Sequence, residues 1–106
     1  MPKFLVRFSY TPEGARGLAK DGGTARRAAV EESVKKLGGR VESFYFAFGD
    51  VDGFLVLDLP DSTTAAAFAL AVNQTGLVKG QTTLLMTAEE FDAAAKKPVS
   101  YRAPGK

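Results

Sequence analysis

The stretch Val41-Glu42-Ser43-Phe44-Tyr45-Phe46-Ala47-Phe48-Gly49-Asp50-Val51-Asp52-Gly53-Phe54-Leu55-Val56-Leu57-Asp58-Leu59-Pro60 decides the fold. Two runs rich in aromatic and branched residues flank a short turn, Gly49-Asp50-Val51-Asp52-Gly53, so residues 41–48 and 54–59 read as a β-hairpin, with Pro60 stopping the second strand. In the first run Val41, Tyr45 and Ala47 share one phase and Phe44, Phe46 and Phe48 the other; in the second, Phe54 and Val56 alternate with Leu55 and Leu57. A strand buried on one side alternates apolar with polar, so this pair reads as covered on both faces.

Upstream, residues 3–9 alternate, with Phe4, Val6 and Phe8 opposite Lys3, Leu5, Arg7 and Ser9, and form the first strand. Thr11-Pro12-Glu13-Gly14 reads as a turn, followed by a weak helical turn up to Lys20 and a break at Asp21-Gly22-Gly23. Thr24 is placed to cap a helix whose Ala28, Val30, Val34 and Leu37 recur near one face, with Arg26, Arg27, Glu31, Lys35 and Lys36 mostly outside it and Gly38-Gly39 ending it. Downstream, Asp61 or Ser62 caps a second helix carrying Ala65, Phe68, Ala69 and Val72, and residues 78–86 form a fourth strand. Thr87-Ala88-Glu89-Glu90 is a capping box, opening a short helix expected to carry Phe91 inward and to end at Lys96-Lys97-Pro98.

The order strand, helix, strand, strand, helix, strand specifies an α+β fold, a ferredoxin-like antiparallel sheet with a helix appended at its C-terminal end. Two helices cover one face of such a sheet, and the two-phase strands then leave an apolar patch of several hundred Å² on the other. The expected cover is a second copy of the chain, as a homodimer or higher oligomer. Residues 1–97 read as one domain and 98–106 as a basic tail.

Composition narrows the chemistry. The 106 residues are 45% hydrophobic, enough for one core, and the net charge of +2 gives no footprint for a phosphate backbone. Lys96, Lys97, Arg102 and Lys106 face no acid after Asp92, and read as a solvated segment. Cysteine and histidine are both absent, which removes thiolate ligands, cysteine nucleophiles and the commonest general base. An enzyme built on this chain must use Asp, Glu, Lys, Arg, Tyr or a bound cofactor. No apolar run approaches the roughly 20 residues that cross a bilayer, and no signal-peptide pattern opens the chain, so a cytoplasmic protein without membrane or nucleic-acid partners is expected.

The segment 43–61 resembles the GYD domain family of small bacterial and archaeal proteins, with further echoes in Phe68-Ala69-Leu70-Ala71, Thr82-Thr83-Leu84 and Thr87-Ala88-Glu89-Glu90-Phe91. The likeness spans roughly residues 3 to 95. Of the name motif, Gly49 and Asp52 stand in place and Val51 holds the tyrosine position, and the stretch from Gly14 to Thr24 is longer than usual. The resemblance implies a ferredoxin-like fold of the dimeric α/β-barrel type and no activity. Families of similar architecture include cofactor-free monooxygenases, haem-binding enzymes and amino-acid-sensing domains, so the fold leaves function open.

Asp50 and Asp52 lie close together in the hairpin turn, but a calcium loop needs an acid two positions before Asp50, where Phe48 stands, so the segment reads as a turn and no metal site is expected. Asp52-Gly53-Phe54 echoes an RNA-recognition strand, yet Asp52 replaces its basic residue and Val56 its second stacking ring. The ligand-binding expectation rests on Arg7, Tyr45, Phe46, Asp52 and Phe54: Arg7 and Asp52 could present opposite charges in an apolar pocket lined by Phe46 and Phe54, or form an ordinary ion pair at a dimer seam. No residue is assigned a catalytic role and no cofactor is expected. The favoured reading is a homodimeric small-molecule-binding or accessory protein. A cofactor-independent oxygenase or isomerase acting through Asp52, Arg7 or Tyr45, and a structural module without a ligand, are the alternatives.

Overall fold

A computed structural model describes residues Met1–Lys106. Eight elements follow one another: β1 (Lys3–Tyr10), α1 (Pro12–Asp21), α2 (Gly23–Lys36), β2 (Arg40–Phe46), β3 (Gly53–Asp58), α3 (Ser62–Asn73), β4 (Val78–Leu85) and α4 (Ala88–Ala95). The sheet runs β2-β3-β1-β4 with every neighbouring pair antiparallel, the ferredoxin-like arrangement.

Alternation in the two central strands builds the core. Phe4 lies opposite Leu57 and Val6 opposite Leu55, and all four are buried beneath Val34 of α2 and Ala65 of α3, with Leu59 closing one end. Directly opposed residues on antiparallel strands share a face. Leu5 and Arg7, facing Val56 and Phe54, therefore point to the other side of the sheet, which no helix covers. Phe8 lies over Gly53, where a Cβ would run into its ring, so glycine at the start of β3 is a packing requirement as well as a turn residue.

Four expectations are corrected. First, β2 ends at Phe46 rather than residue 48, and Phe48 stands fully in solvent. A register shift between Val41 and Ser43 places Val41, Phe44 and Phe46 on the helix side together. The bulge thus brings Val41 into phase with Phe44 and Phe46, and it leaves Arg40, Ser43 and Tyr45 of β2 on the open face. Second, residues 12–21 are a full helix. Thr11 caps it, its hydroxyl accepting from the Gly14 N–H at 3.2 Å, and Pro12 takes the first position, where its missing N–H costs nothing. Gly14 is buried there because a Cβ would meet the Leu77 carbonyl oxygen. Third, α2 starts at Gly23 from Gly22, whose φ of 89° breaks the chain between helices, and Thr24 does not cap it. Fourth, α4 does not bring Phe91 inward; no residue of α4 is buried and Phe91 is 63% exposed.

Candidate functional site

The open face of the sheet is three rows of opposed residues. One row runs Gln81, Arg7, Phe54, Tyr45; the next runs Thr83, Leu5, Val56, Ser43; the third runs Leu85, Lys3, Asp58, Arg40. Apolar surface is concentrated in Tyr45, Phe54, Val56 and Leu5, flanked by hydroxyls and amides toward β4. Charge is concentrated in the third row. There the Asp58 carboxylate accepts from Lys3 Nζ at 2.8 Å and pairs with the Arg40 guanidinium at 3.0 Å, while Lys3 also reaches Glu42 at 3.3 Å. Asp58 is only 5% exposed, yet its cover is thin, consisting largely of two cations that are themselves partly exposed. The hydrogen bond from Lys3, more than burial, decides its ionisation and holds its pKa below the ordinary value.

Arg7, Phe54 and Tyr45 therefore stand side by side on this face. Phe46 does not join them, because the bulge turns it to the helix side, where its ring lies 5.3 Å from that of Phe44 and 6.3 Å from that of Phe8. Asp52 is also engaged elsewhere. Its carboxylate accepts from the Tyr10 N–H at 2.8 Å, its own N–H donates to the Phe8 carbonyl at 2.8 Å, and its carbonyl accepts from the Ala47 N–H at 2.8 Å. The aspartate of the hairpin turn thus extends the β1–β3 ladder with a side-chain rung. Arg7 and Asp52 form no ion pair, since each strand end has already committed the carboxylate to the backbone.

A second site lies on the helix side. Helices α2 and α3 stand apart, and the slot between them, about 420 Å³, is walled by Val30, Leu37, Phe68 and Val72. Beneath it a smaller cavity of about 40 Å³ reaches the sheet at Phe8, Phe44 and Leu55. A crevice of about 160 Å³ beside α1 opens at Tyr10 and Leu18. Arg26 lines all three, and Tyr10 lines the cavity and the crevice. The half-buried Arg26 makes no ion pair in the chain, and its guanidinium lies against the Tyr10 hydroxyl. Burial pushes the Tyr10 phenol above its ordinary pKa and Arg26 only partly offsets this, so at neutral pH the hydroxyl keeps its proton. The junction thus presents a cation to the slot and the cavity beneath it, and a hydroxyl donor to that cavity.

Sequence reading missed this pair. The signal was present, because Arg26 precedes Val30 by four residues and Val34 by eight, on the helical stripe that faces the sheet. A charged residue on a buried stripe needs a partner or a purpose.

The family model of the GYD domain matches residues 4–95. No curated protein and no solved structure matches the chain. No helix is long and apolar enough to cross a membrane.

Proposed function

The chain belongs to the GYD domain family, and from that premise we propose that it is a homodimeric small-molecule-binding protein whose ligand enters the slot between α2 and α3. The observation that carries this reading is Arg26, an unpaired guanidinium beside the Tyr10 hydroxyl at the mouth of an apolar space. An Arg and a hydroxyl donor in that position suit an organic acid with a small aromatic or branched acyl body, the body resting on Phe68 and Val30. The slot volume of about 420 Å³ falls in the range of roughly 300–1,000 Å³ typical of such sites.

Binding is proposed rather than turnover because neither the slot nor the cavity beneath it is lined by a carboxylate, and a protonated Tyr10 is a donor rather than a base. The open face is the proposed dimer seam. Tyr45 and Phe54 are 69% and 37% exposed there, with Leu5 and Val56 between the strands beside them. On this reading Arg7 and Tyr45 are seam residues, and Asp52 a structural one.

Thermal-shift and native mass-spectrometric titration with a panel of aromatic and short-chain carboxylic acids, each beside its neutral amide, tests the proposal. Acids are expected to raise the melting temperature more than their amides, and Arg26→Gln to weaken the acids by about tenfold or more while sparing the amides, as loss of a charge-assisted hydrogen bond implies. No stabilisation by any acid, with no molecule retained through native purification, overturns it.

A further inference from the structure

We infer that Gly80 sets the depth of the ligand site: by carrying no side chain it leaves open the cavity beneath the slot, and the acid bound there ends in a small branched apolar group, the size of isopropyl, that lies over this glycine. The inference rests on the slot reading above and narrows its ligand class from aromatic or branched acids to branched ones.

The first observation is a glycine that the fold does not require. Gly80 stands inside β4, whose register against β1 runs unbroken from Lys3 opposite Leu85 to Tyr10 opposite Val78, so no bulge calls for it. Its φ is not positive, and its N–H donates to Asn73 Oδ1 at 2.8 Å, a bond that any residue but proline can make. Gly14 and Gly53 are held to glycine by atoms that a Cβ would strike. At Gly80 a Cβ would lie 3.6 Å from Val6 Cγ1 and 3.9 Å from the Arg7 carbonyl oxygen, ordinary van der Waals contact, and apart from its chain neighbours no atom outside β1 comes within 4 Å of it. Glycine inside a strand weakens it, and without a bulge it marks a place where a ligand or another backbone comes close.

The second observation is the space that the missing side chain leaves. Gly80 is opposite Phe8, so a side chain there would point to the helix side. On that side lies the cavity of about 40 Å³, walled by Val6, Phe8, Leu55, Phe68 and Val72 together with Gly80. Protein interiors pack to the density of organic crystals and a void costs stability, so a hole that one methyl group would begin to fill is a cost unless something else fills it. A single water-sized atom needs roughly 10–15 Å³, so the cavity takes about three heavy atoms, and its walls ask that they be apolar. A phenyl ring is too large for it. Arg26 lines the cavity as well as the slot, so an acid paired with the guanidinium reaches this space with its tail.

Calorimetric titration of wild type, Gly80→Ala and Gly80→Val with straight-chain and isopropyl-ended carboxylic acids of increasing length, and with phenylacetic acid, tests the inference. Wild type is expected to prefer an isopropyl-ended acid. Gly80→Ala should weaken that acid by about tenfold and Gly80→Val by more, as one methyl group in an apolar pocket implies, while straight-chain acids too short to reach the cavity hold their affinity. Unliganded Gly80→Ala should melt no lower than wild type, because a strand gains by losing a glycine. A lower melting temperature for unliganded Gly80→Ala shows that packing requires the glycine, and overturns the inference. An equal effect on long and short acids, or a wild-type preference for phenylacetic acid over every isopropyl-ended acid, also overturns it, and the slot reading then stands if Arg26→Gln still weakens the acids. Failure of every acid to bind wild type removes both.

Discussion

Asp58 sits at the end of β3 between two cations, and its consequences are those of a single carboxylate. Its folded-state pKa lies below the ordinary 3.8, chiefly through the Lys3 hydrogen bond, so the stabilisation is complete above the unfolded value and is lost as pH falls through the folded one. Lys3 shifts the opposite way, above its ordinary 10.5 through the same bond, and its share is lost only as alkaline pH rises through the folded value. Urea midpoints measured between about pH 6 and about pH 3 are expected to fall for the wild type, with the steepest loss below about pH 4. Asp58→Asn should start lower, by about 1–3 kcal/mol from leaving Lys3 and Arg40 facing one another, and should follow a flatter acid limb. An identical acid limb in the variant would show that other carboxylates set it. Gly53 is the residue-scale counterpart in the core. Adding a methyl there displaces the Phe8 ring, and Gly53→Ala is expected to cost about 1–3 kcal/mol in the same melts, whereas Gly49→Ala, with open space around it, should cost much less.

At the scale of elements, capping chemistry makes separable contributions. Asp61 Oδ1 accepts from both the backbone N–H and the hydroxyl of Thr64, at 2.8 and 2.7 Å, so Asp61→Ala should destabilise α3, read as a lowered melting temperature. If α3 contributes little to the fold, the melt will not move. This is also the scale at which the sequence was most and least legible. The strands and the longer helices announced themselves, because Phe4, Val6 and Phe8 alternate, and Asp61 and Thr87 are cap residues preceding apolar runs. Helix α1 did not, since Pro12 and Gly14 are ordinary turn residues whose helical roles, first-turn entry and close approach to Leu77, exist only once β4 has folded beside them. The bulge after Val41 was equally hidden: one added residue reverses the phase of everything before it, and the run from Val41 to Phe48 then imitates a strand greasy on both sides. That concealment passed to the candidate site. Arg7 and Phe54 fall together as expected because β1 and β3 pair without a bulge, and Tyr45 joins them on the far side of the β2 bulge, whereas Phe46 lies on the helix side and Asp52, expected as the charge partner of Arg7, is a ladder rung.

For the molecule as a whole, the thin core determines what holds it together. Only 11 of 106 residues are buried, and α2 and α3 leave a slot between them instead of closing over the sheet, so a lone chain removes little apolar surface from water. Stability of a few kcal/mol is a small difference between large terms, and a chain that forgoes this much burial needs another source of it. On the proposed homodimer that source is association, and the melting temperature should then rise with protein concentration, because unfolding includes dissociation. Two variants locate the source. Tyr45→Asp puts a charge in the middle of the proposed seam without disturbing the core side of β2, and is expected to lower the melting temperature and abolish its concentration dependence. Phe68→Ala opens the slot and should lower the melting temperature while leaving that dependence intact. A wild-type melt unmoved by a hundredfold dilution, about two decades in the mass-action term, would mean that each chain is stable alone and that its open face is built for water.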